Sequence, residues 1–338
     1  MKEWKECRLC PRDCGVNRRA GAGSVLSRGI CGETDRLRLA RAALHMWEEP
    51  CITGTGGSGT VFFSGCSLRC VFCQNVSIAR GNVGKEVSME RLAEIFLELQ
   101  EKGAENINLV TGDHFVPGII RSLKRAKDQG MRLPVVYNTS SYVKVDTLKS
   151  LEGLVDIYLP DFKYYDGDRA YRYARAKDYP GTAKEAIREM VRQQGKPEFL
   201  RKDGEIIDSE TYNSIEEPEG IVMRRGTIVR HLLLPEGLED SKQIVAYLLD
   251  AYGTKIYISI MNQYTPVGEF SDLPELNRTV TEEEYEAWRQ QKELEQQQYD
   301  TMLANRFETL AELTVGGFDG VGDYTGTLGE VRQRLEAE

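Results

Sequence analysis

Ser64-Gly65-Cys66-Ser67-Leu68-Arg69-Cys70-Val71-Phe72-Cys73-Gln74-Asn75 is the stretch on which the reading of the fold turns. It gathers Cys66, Cys70 and Cys73 within eight residues. Grouped thiolates suit zinc or an iron–sulfur cluster, and a cluster ordinarily takes four cysteines. Three together leave a fourth position, either for a remote ligand or for an exogenous molecule. The structural alternative is a zinc knot closed by Cys51 or by an N-terminal cysteine. Such knots usually show paired Cys-x-x-Cys knuckles far apart, whereas these three cysteines stand together.

The stretch follows directly on an apolar run at 60–64, and similar runs recur at 106–110, 134–137, 155–159, 227–234 and 255–261. Their continuous apolar, β-branched character suits parallel strands covered on both faces. Between them 88–102 reads as a helix: Ser88 is the N-cap, Met89, Leu92, Ala93, Ile95, Phe96 and Leu99 form one apolar face, and Gly103 is the stop. Further helices are expected near 117–129, 144–152, 181–194 and 241–252. The alternation predicts a parallel α/β fold; taken alone it also allows an open doubly wound sheet. Positions 196–220, with charges, two prolines and no periodicity, read as a surface insertion. Residues 281–306 read as a charged, glutamine-rich helix and 315–327 as a glycine-rich segment within a C-terminal extension, 281–338.

The Cys-x-x-x-Cys-x-x-Cys spacing with Phe72 before the last cysteine resembles the signature of radical S-adenosylmethionine (SAM) enzymes. Phe62-Phe63-Ser64-Gly65-Cys66, Val135-Val136-Tyr137-Asn138-Thr139, Val155-Asp156-Ile157-Tyr158-Leu159-Pro160-Asp161-Phe162-Lys163 and Ile258-Ser259-Ile260-Met261-Asn262-Gln263-Tyr264 resemble the pyruvate formate-lyase activating-enzyme-like subgroup. The resemblance spans roughly residues 5 to 280. It implies a partial (β/α)6 TIM-type barrel over 51–280, with a 4Fe-4S cluster on Cys66, Cys70 and Cys73. In that family SAM chelates the open iron and is cleaved reductively to a 5′-deoxyadenosyl radical. The resemblance further implies a reducing electron donor and, as substrate, a glycyl radical enzyme. Modification of another protein or of a small molecule, and a non-catalytic zinc or iron–sulfur scaffold, are the alternatives.

In parallel barrels the loops at the carboxyl ends of the strands converge on the site. Here the strands lead into Thr111-Gly112-Asp113-His114, Asn138-Thr139-Ser140, Asp161-Phe162-Lys163, Arg230-His231 and Asn262-Gln263-Tyr264. Loops are polar in any fold, but the set gains weight beside the triad. Arg230 offers a fixed fork for a carboxylate, and the resemblance implies that this is the carboxylate of SAM. Asn138 and Thr139 are expected at the ribose, Phe72 at the adenine, and Asp161-x-Lys163 beside SAM. Activating enzymes commonly carry Gly-Gly-Glu for the SAM amino group; here Thr111, Gly112 and Asp113 stand in its place. His114 and His231 read as structural rather than acid/base groups.

Cys7, Cys10, Cys14 and Cys31 define a Cys-rich module within 1–50. Four soft ligands fit either a closed zinc site or a second iron–sulfur cluster, and either would staple a segment too small to fold around its own core. The module reads as a structural cap, with an electron relay or substrate dock as alternatives, and Cys51 as an ordinary thiol. Gly54-Thr55-Gly56-Gly57-Ser58-Gly59 lacks the Gly-Lys-Ser/Thr ending of a phosphate loop and reads as a flexible lead into the first strand, passing close to the cluster.

A formal net charge of −9 disfavours a nucleic-acid partner. The charged N-terminus and the lack of a long apolar run predict neither leader nor membrane span, and a cytoplasmic protein whose grouped cysteines point to metal ligation rather than disulfides.

Overall fold

The computed structural model describes residues 4–19, 28–81, 83–288 and 290. Its strands are β1 (Leu37–His45), β2 (Ser58–Phe63), β3 (Lys85–Val87), β4 (Asn106–Val110), β5 (Val135–Thr139), β6 (Ile157–Pro160), β7 (Glu198–Leu200), β8 (Ile206–Asp208), β9 (Val222–Leu232) and β10 (Tyr257–Met261). The helices are α1 (Pro50–Thr53), α2 (Val76–Ala79), α3 (Met89–Glu101), α4 (Val116–Asp128), α5 (Val145–Lys149), α6 (Gly167–Ala174), α7 (Tyr179–Gln194), α8 (Ser209–Asn213) and α9 (Leu238–Tyr252). The chain up to Tyr285 forms one compact unit. The second unit begins at Glu286 and falls almost wholly outside the described residues, as do most of the expected C-terminal helix and all of the glycine-rich segment.

Strands β2, β4, β5, β6, β9 and β10 pair in that order, every pairing parallel. These are the six apolar runs of the sequence, and their order along the sheet follows the chain, as expected of an open, partial barrel. Val61, Ile107, Leu109, Val135, Val136 and Leu159 are fully buried, which is why their runs lack alternation. Helix α3 forms where its periodicity places it: Ser88 Oγ accepts from the Arg91 N–H at 3.1 Å, and Leu92, Ala93, Phe96 and Leu99 are buried against the sheet. Burying one such leucine or phenylalanine contributes about 1.5–3 kcal/mol.

Four further strands lie outside the expected set. β1 pairs antiparallel with β2, and β3 with β1, so residues 37–45 of the N-terminal 1–50 segment belong to the barrel sheet. The segment 196–220 is more ordered than its composition implies. β7 and β8 form a hairpin that pairs antiparallel with the start of β9. Its Phe199 ring is fully buried and stacks on Tyr212 at 3.8 Å. Strands of three residues are too short to show a period.

The glycine-rich lead into β2 lies at the opposite end of that strand from Cys66, not beside the triad. The N–H groups of Thr55 and Gly56 donate to Glu105 Oε1 at 3.2 and 2.9 Å, so an internal carboxylate takes the place an anion would fill. A Cβ on Gly56 would lie 2.2 Å from the Gly103 carbonyl oxygen, which explains the glycine by close approach of two backbones.

Candidate active site

The loop leaving β2 turns at Gly65, where φ is +82° and a Cβ would lie 2.7 Å from the Cys31 carbonyl oxygen. Beyond that turn Cys66, Cys70 and Cys73 line a cavity of about 740 Å³ at the carboxyl ends of the parallel strands. All eight cysteines are free of disulfides. Tyr164 Oη donates to Cys70 Sγ at 3.3 Å, and the backbone N–H groups of Leu68 and Arg69 favour the Cys66 thiolate. Burial pushes the Cys66 thiol up to about 12. Burial also raises Cys70, against the pull of the Lys163 ammonium. As thiolates the three need a cation among them. This set of soft donors, hydrogen-bond donors and a neighbouring ammonium fits a cluster with three protein ligands. Among the described residues no three His, Cys, Asp or Glu side chains stand at the spacing of a single-ion site.

One wall carries an alternating chain of charges leading from the triad. Lys163 Nζ donates to Asp161 Oδ2 at 2.7 Å, and Arg230 Nε donates to Asp161 Oδ1 at 3.0 Å. Arg230 Nη1 donates to Glu48 Oε1 at 2.7 Å and Nη2 to Asn138 Oδ1 at 2.8 Å. Asn108 and Asn138 both donate to Glu48 Oε2. Burial alone would raise the Asp161 carboxyl, but Arg230 and Lys163 together hold it below the ordinary range. Parallel pairing puts these groups side by side: an isolated bridge joins Asp161 to Arg230 just past β6. The guanidinium fork expected to face SAM is thus already engaged by Asp161, Glu48 and Asn138.

Glu48 and Glu49 escaped the sequence reading because they sit in no motif. They belong to the connection between β1 and β2, and Glu49 Oε1 accepts from Ser259 Oγ on β10 at 2.8 Å. The connection therefore reaches β10, the last of the parallel strands. Trp47 beside them lines the cavity yet is 88% exposed.

Phe72, Thr111, Asn138, Thr139, Asp161, Lys163 and Arg230 all line the cavity; Gly112 and Asp113 do not. Thr111 takes φ +58°, and the short 3-10 turn after it carries Asp113 into the interior. There Asp113 Oδ1 accepts from Tyr137 Oη at 2.8 Å and from Thr139 Oγ1 at 2.7 Å. Burial pushes its carboxyl up to about 6. Asp113 thus braces β5, and the Thr139 hydroxyl points at it. Phe72 is held edge-on by Tyr164, Tyr173 and Tyr264, with ring centroids 6.0 to 6.3 Å away.

His114 and His231 are buried and neutral. His231 Nδ1 faces the Phe162 carbonyl at 2.7 Å, which assigns the proton to Nδ1, and Nε2 faces Ser241 Oγ at 2.7 Å. Burial lowers His231 to about 4 and His114 to about 3. Cys51, pushed up to about 12 by burial, packs beside the Phe199 cluster.

At the N-terminus Cys7, Cys10 and Cys31 are buried and Cys14 is half-buried. The charges of Cys31, Cys7 and Cys14 all act on Cys10. The Sγ atoms of Cys31 and Cys14 lie 3.0 and 3.8 Å from the point a Cβ on Gly29 would occupy. The structure therefore brings the four together.

Residues 60–203 match the family described as the Radical SAM superfamily. The "Uncharacterized protein MJ0674" of Methanocaldococcus jannaschii is 27% identical over 290 residues, covering 84% of this chain and 73% of that protein. Among solved structures, "Native anSMEcpe with bound AdoMet" aligns with a TM-score of 0.43 at 9% identity, over 77% of this chain and 66% of that one. The glycoside hydrolase domain of PelA from Pseudomonas aeruginosa aligns with a TM-score of 0.31 at 12% identity, over 58% of this chain and 66% of that one. The chain spans just under two thirds of those solved structures, and overlaps this loose carry no functional argument. The span of the family match holds the triad, Asp161 and Lys163.

Proposed function

We propose, for a chain whose residues 60–203 carry the radical SAM superfamily domain, that Cys66, Cys70 and Cys73 hold a 4Fe-4S cluster at which SAM is cleaved. The observation that carries this is the three thiols on one loop lining a cavity of about 740 Å³, with a wall of polar groups leading away from them. The cluster, when bound, supplies one electron to the sulfonium, so that a carbon–sulfur bond breaks into methionine and a 5′-deoxyadenosyl radical that takes a hydrogen atom from the substrate.

The chain's own residues bind and orient. Phe72, fixed by three tyrosines, offers a ring to the adenine. Asn138 offers an amide to the ribose. Lys163, next to both Cys70 and Asp161, steadies the thiolate end of the site. Arg230 receives the SAM carboxylate by exchanging one of its present partners, Glu48 or Asp161. With Asp113 facing inward, the amino group of SAM is met by backbone carbonyls at the Thr111 turn.

The substrate is a protein glycine that becomes a glycyl radical. The Asp161-x-Lys163 pattern supports this reading, as does Trp47, exposed at the cavity lining where a large partner can reach it. Two experiments test the function. Adding SAM to the reduced, reconstituted protein should shift the electron paramagnetic resonance signal of its cluster; an unchanged spectrum would count against SAM at the open position. A partner glycyl radical protein should then acquire an oxygen-sensitive doublet signal, whereas turnover confined to small molecules would remove the glycyl reading alone.

A further inference from the structure

The N-terminal cysteines sit directly on the triad loop. The Cys66 N–H donates to the Cys31 carbonyl at 3.3 Å, so one cysteine of each group shares a hydrogen bond. Arg69 Nη1 donates to the Ile30 carbonyl at 3.0 Å. Arg12, between Cys10 and Cys14, directs all three guanidinium nitrogens at carbonyls. It donates to Ser67 O and Leu68 O, both at 2.9 Å and both between Cys66 and Cys70, and to Ala174 O at 2.6 Å and Arg175 O. Arg18 is fully buried beneath the same module and donates to the carbonyls of Glu33, Thr34 and His114, with Cys7 Sγ 3.7 Å from its Nη1.

These contacts are backbone-directed and long-range, yet the segment that makes them is irregular and glycine-rich, with no regular element of its own between residues 5 and 36 among the described residues. Such a segment needs a cross-link to hold its shape, and its four convergent cysteines form no disulfide. Four thiolates also fill every position of a tetrahedral ion or of a cubane cluster, so nothing exogenous can bind there.

We infer that Cys7, Cys10, Cys14 and Cys31 hold a second, closed thiolate-ligated metal centre, whose work is to lock the Cys66–Cys73 loop in the conformation that accepts its own cluster. Arg12 and the Cys31–Cys66 hydrogen bond transmit the lock. No three of the sulfurs stand at single-ion spacing, so loading either draws them inward around zinc or spreads them over a multi-iron cluster. The inference rests on the triad holding a cluster, but not on its turnover.

Metal analysis of the full chain, reconstituted anaerobically, tests it. Wild type should carry either about eight irons or about four irons with one zinc per chain, the two arms separating cluster from ion. Cys14→Ser, at the least buried of the four, should lose the second centre and at least half of the triad's iron. Arg12→Ala keeps all seven ligands; it should retain the second centre yet lose triad iron by a similar factor, with its circular dichroism unchanged. Cys51→Ser should match wild type. The inference fails if wild type holds only the triad's metal, or if Cys14→Ser and Arg12→Ala both keep full triad loading. A wild type loaded as expected but unable to cleave SAM would leave the lock standing and remove the proposed function.

Discussion

Glu48 Oε1 accepts a 2.7 Å hydrogen bond from Nη1 of Arg230, joining residues 182 positions apart inside the cavity. The pair sits at the end of the series Lys163, Asp161, Arg230, Glu48, in which opposite charges alternate. Removing one partner of a partly buried pair costs more than exchanging both, because the survivor keeps its desolvation penalty.

Arg230→Met should accordingly leave Glu48 without its cation and Asp161 with Lys163 alone, and destabilise the protein by about 3 kcal/mol, while Glu48→Gln, which keeps an acceptor for Nη1, should cost about 1 kcal/mol. Urea unfolding of the two variants checks the order. SAM affinity should fall in Arg230→Met and stay level or rise in Glu48→Gln, where a competitor for the guanidinium is weakened.

Tyr164→Phe removes the hydroxyl that donates to Cys70 Sγ. Hydrogen bonds to ligating sulfur favour the reduced cluster, so the midpoint potential should move to a more negative value with iron content unchanged. A redox titration of variant and wild type reads this directly.

Acid should weaken the protein through His231. Its ordinary value is 6.5 and burial lowers it to about 4 in the fold. Between those values the unfolded chain binds the extra proton, so stability falls as pH drops from 6.5 to about 4 and levels off below. The loss is on the order of 3 kcal/mol. Buried Asp113, raised to about 6, works in the opposite direction over part of that range. The clean readout is therefore the stability gap between wild type and His231→Asn, which should narrow as pH falls through this window.

Two glycine substitutions should differ in sign. Gly56→Ala drives a Cβ to 2.2 Å from the Gly103 carbonyl oxygen and should destabilise the lead into β2. Gly181→Ala, in α7 with nothing within 4 Å of its Cβ position, should stabilise by about 0.5–1 kcal/mol. Thermal unfolding of each variant decides.

The parallel strands and the long helices α3, α4, α7 and α9 are legible in the sequence because burial on both faces, or on one, writes a pattern over four or more residues. β3, β7 and β8 are three residues each and write none. β1 escapes for another reason: its strand carries arginines and half-buried or exposed positions beside its buried leucines, so it lacks the continuous apolar run of its neighbours. Within the site, the cysteine spacing and the polar residues at strand ends point to the triad and to Thr111, Asn138, Thr139, Asp161, Lys163 and Arg230 of the cavity lining. Asp113 shows the limit, since one left-handed residue, Thr111, turns it from the cavity to the interior. Glu48 shows the complementary limit, because a carboxylate delivered by a connection between two strands has no local pattern to mark it.

SAM cleavage at the triad is decided by anaerobic reconstitution with iron and sulfide, reduction in the presence of SAM, and chromatography for 5′-deoxyadenosine, on wild type and Cys70→Ala side by side. Wild type should yield 5′-deoxyadenosine and methionine and the variant neither. A wild type that is loaded and reduced yet yields none, or a Cys70→Ala variant that matches it, would contradict the account.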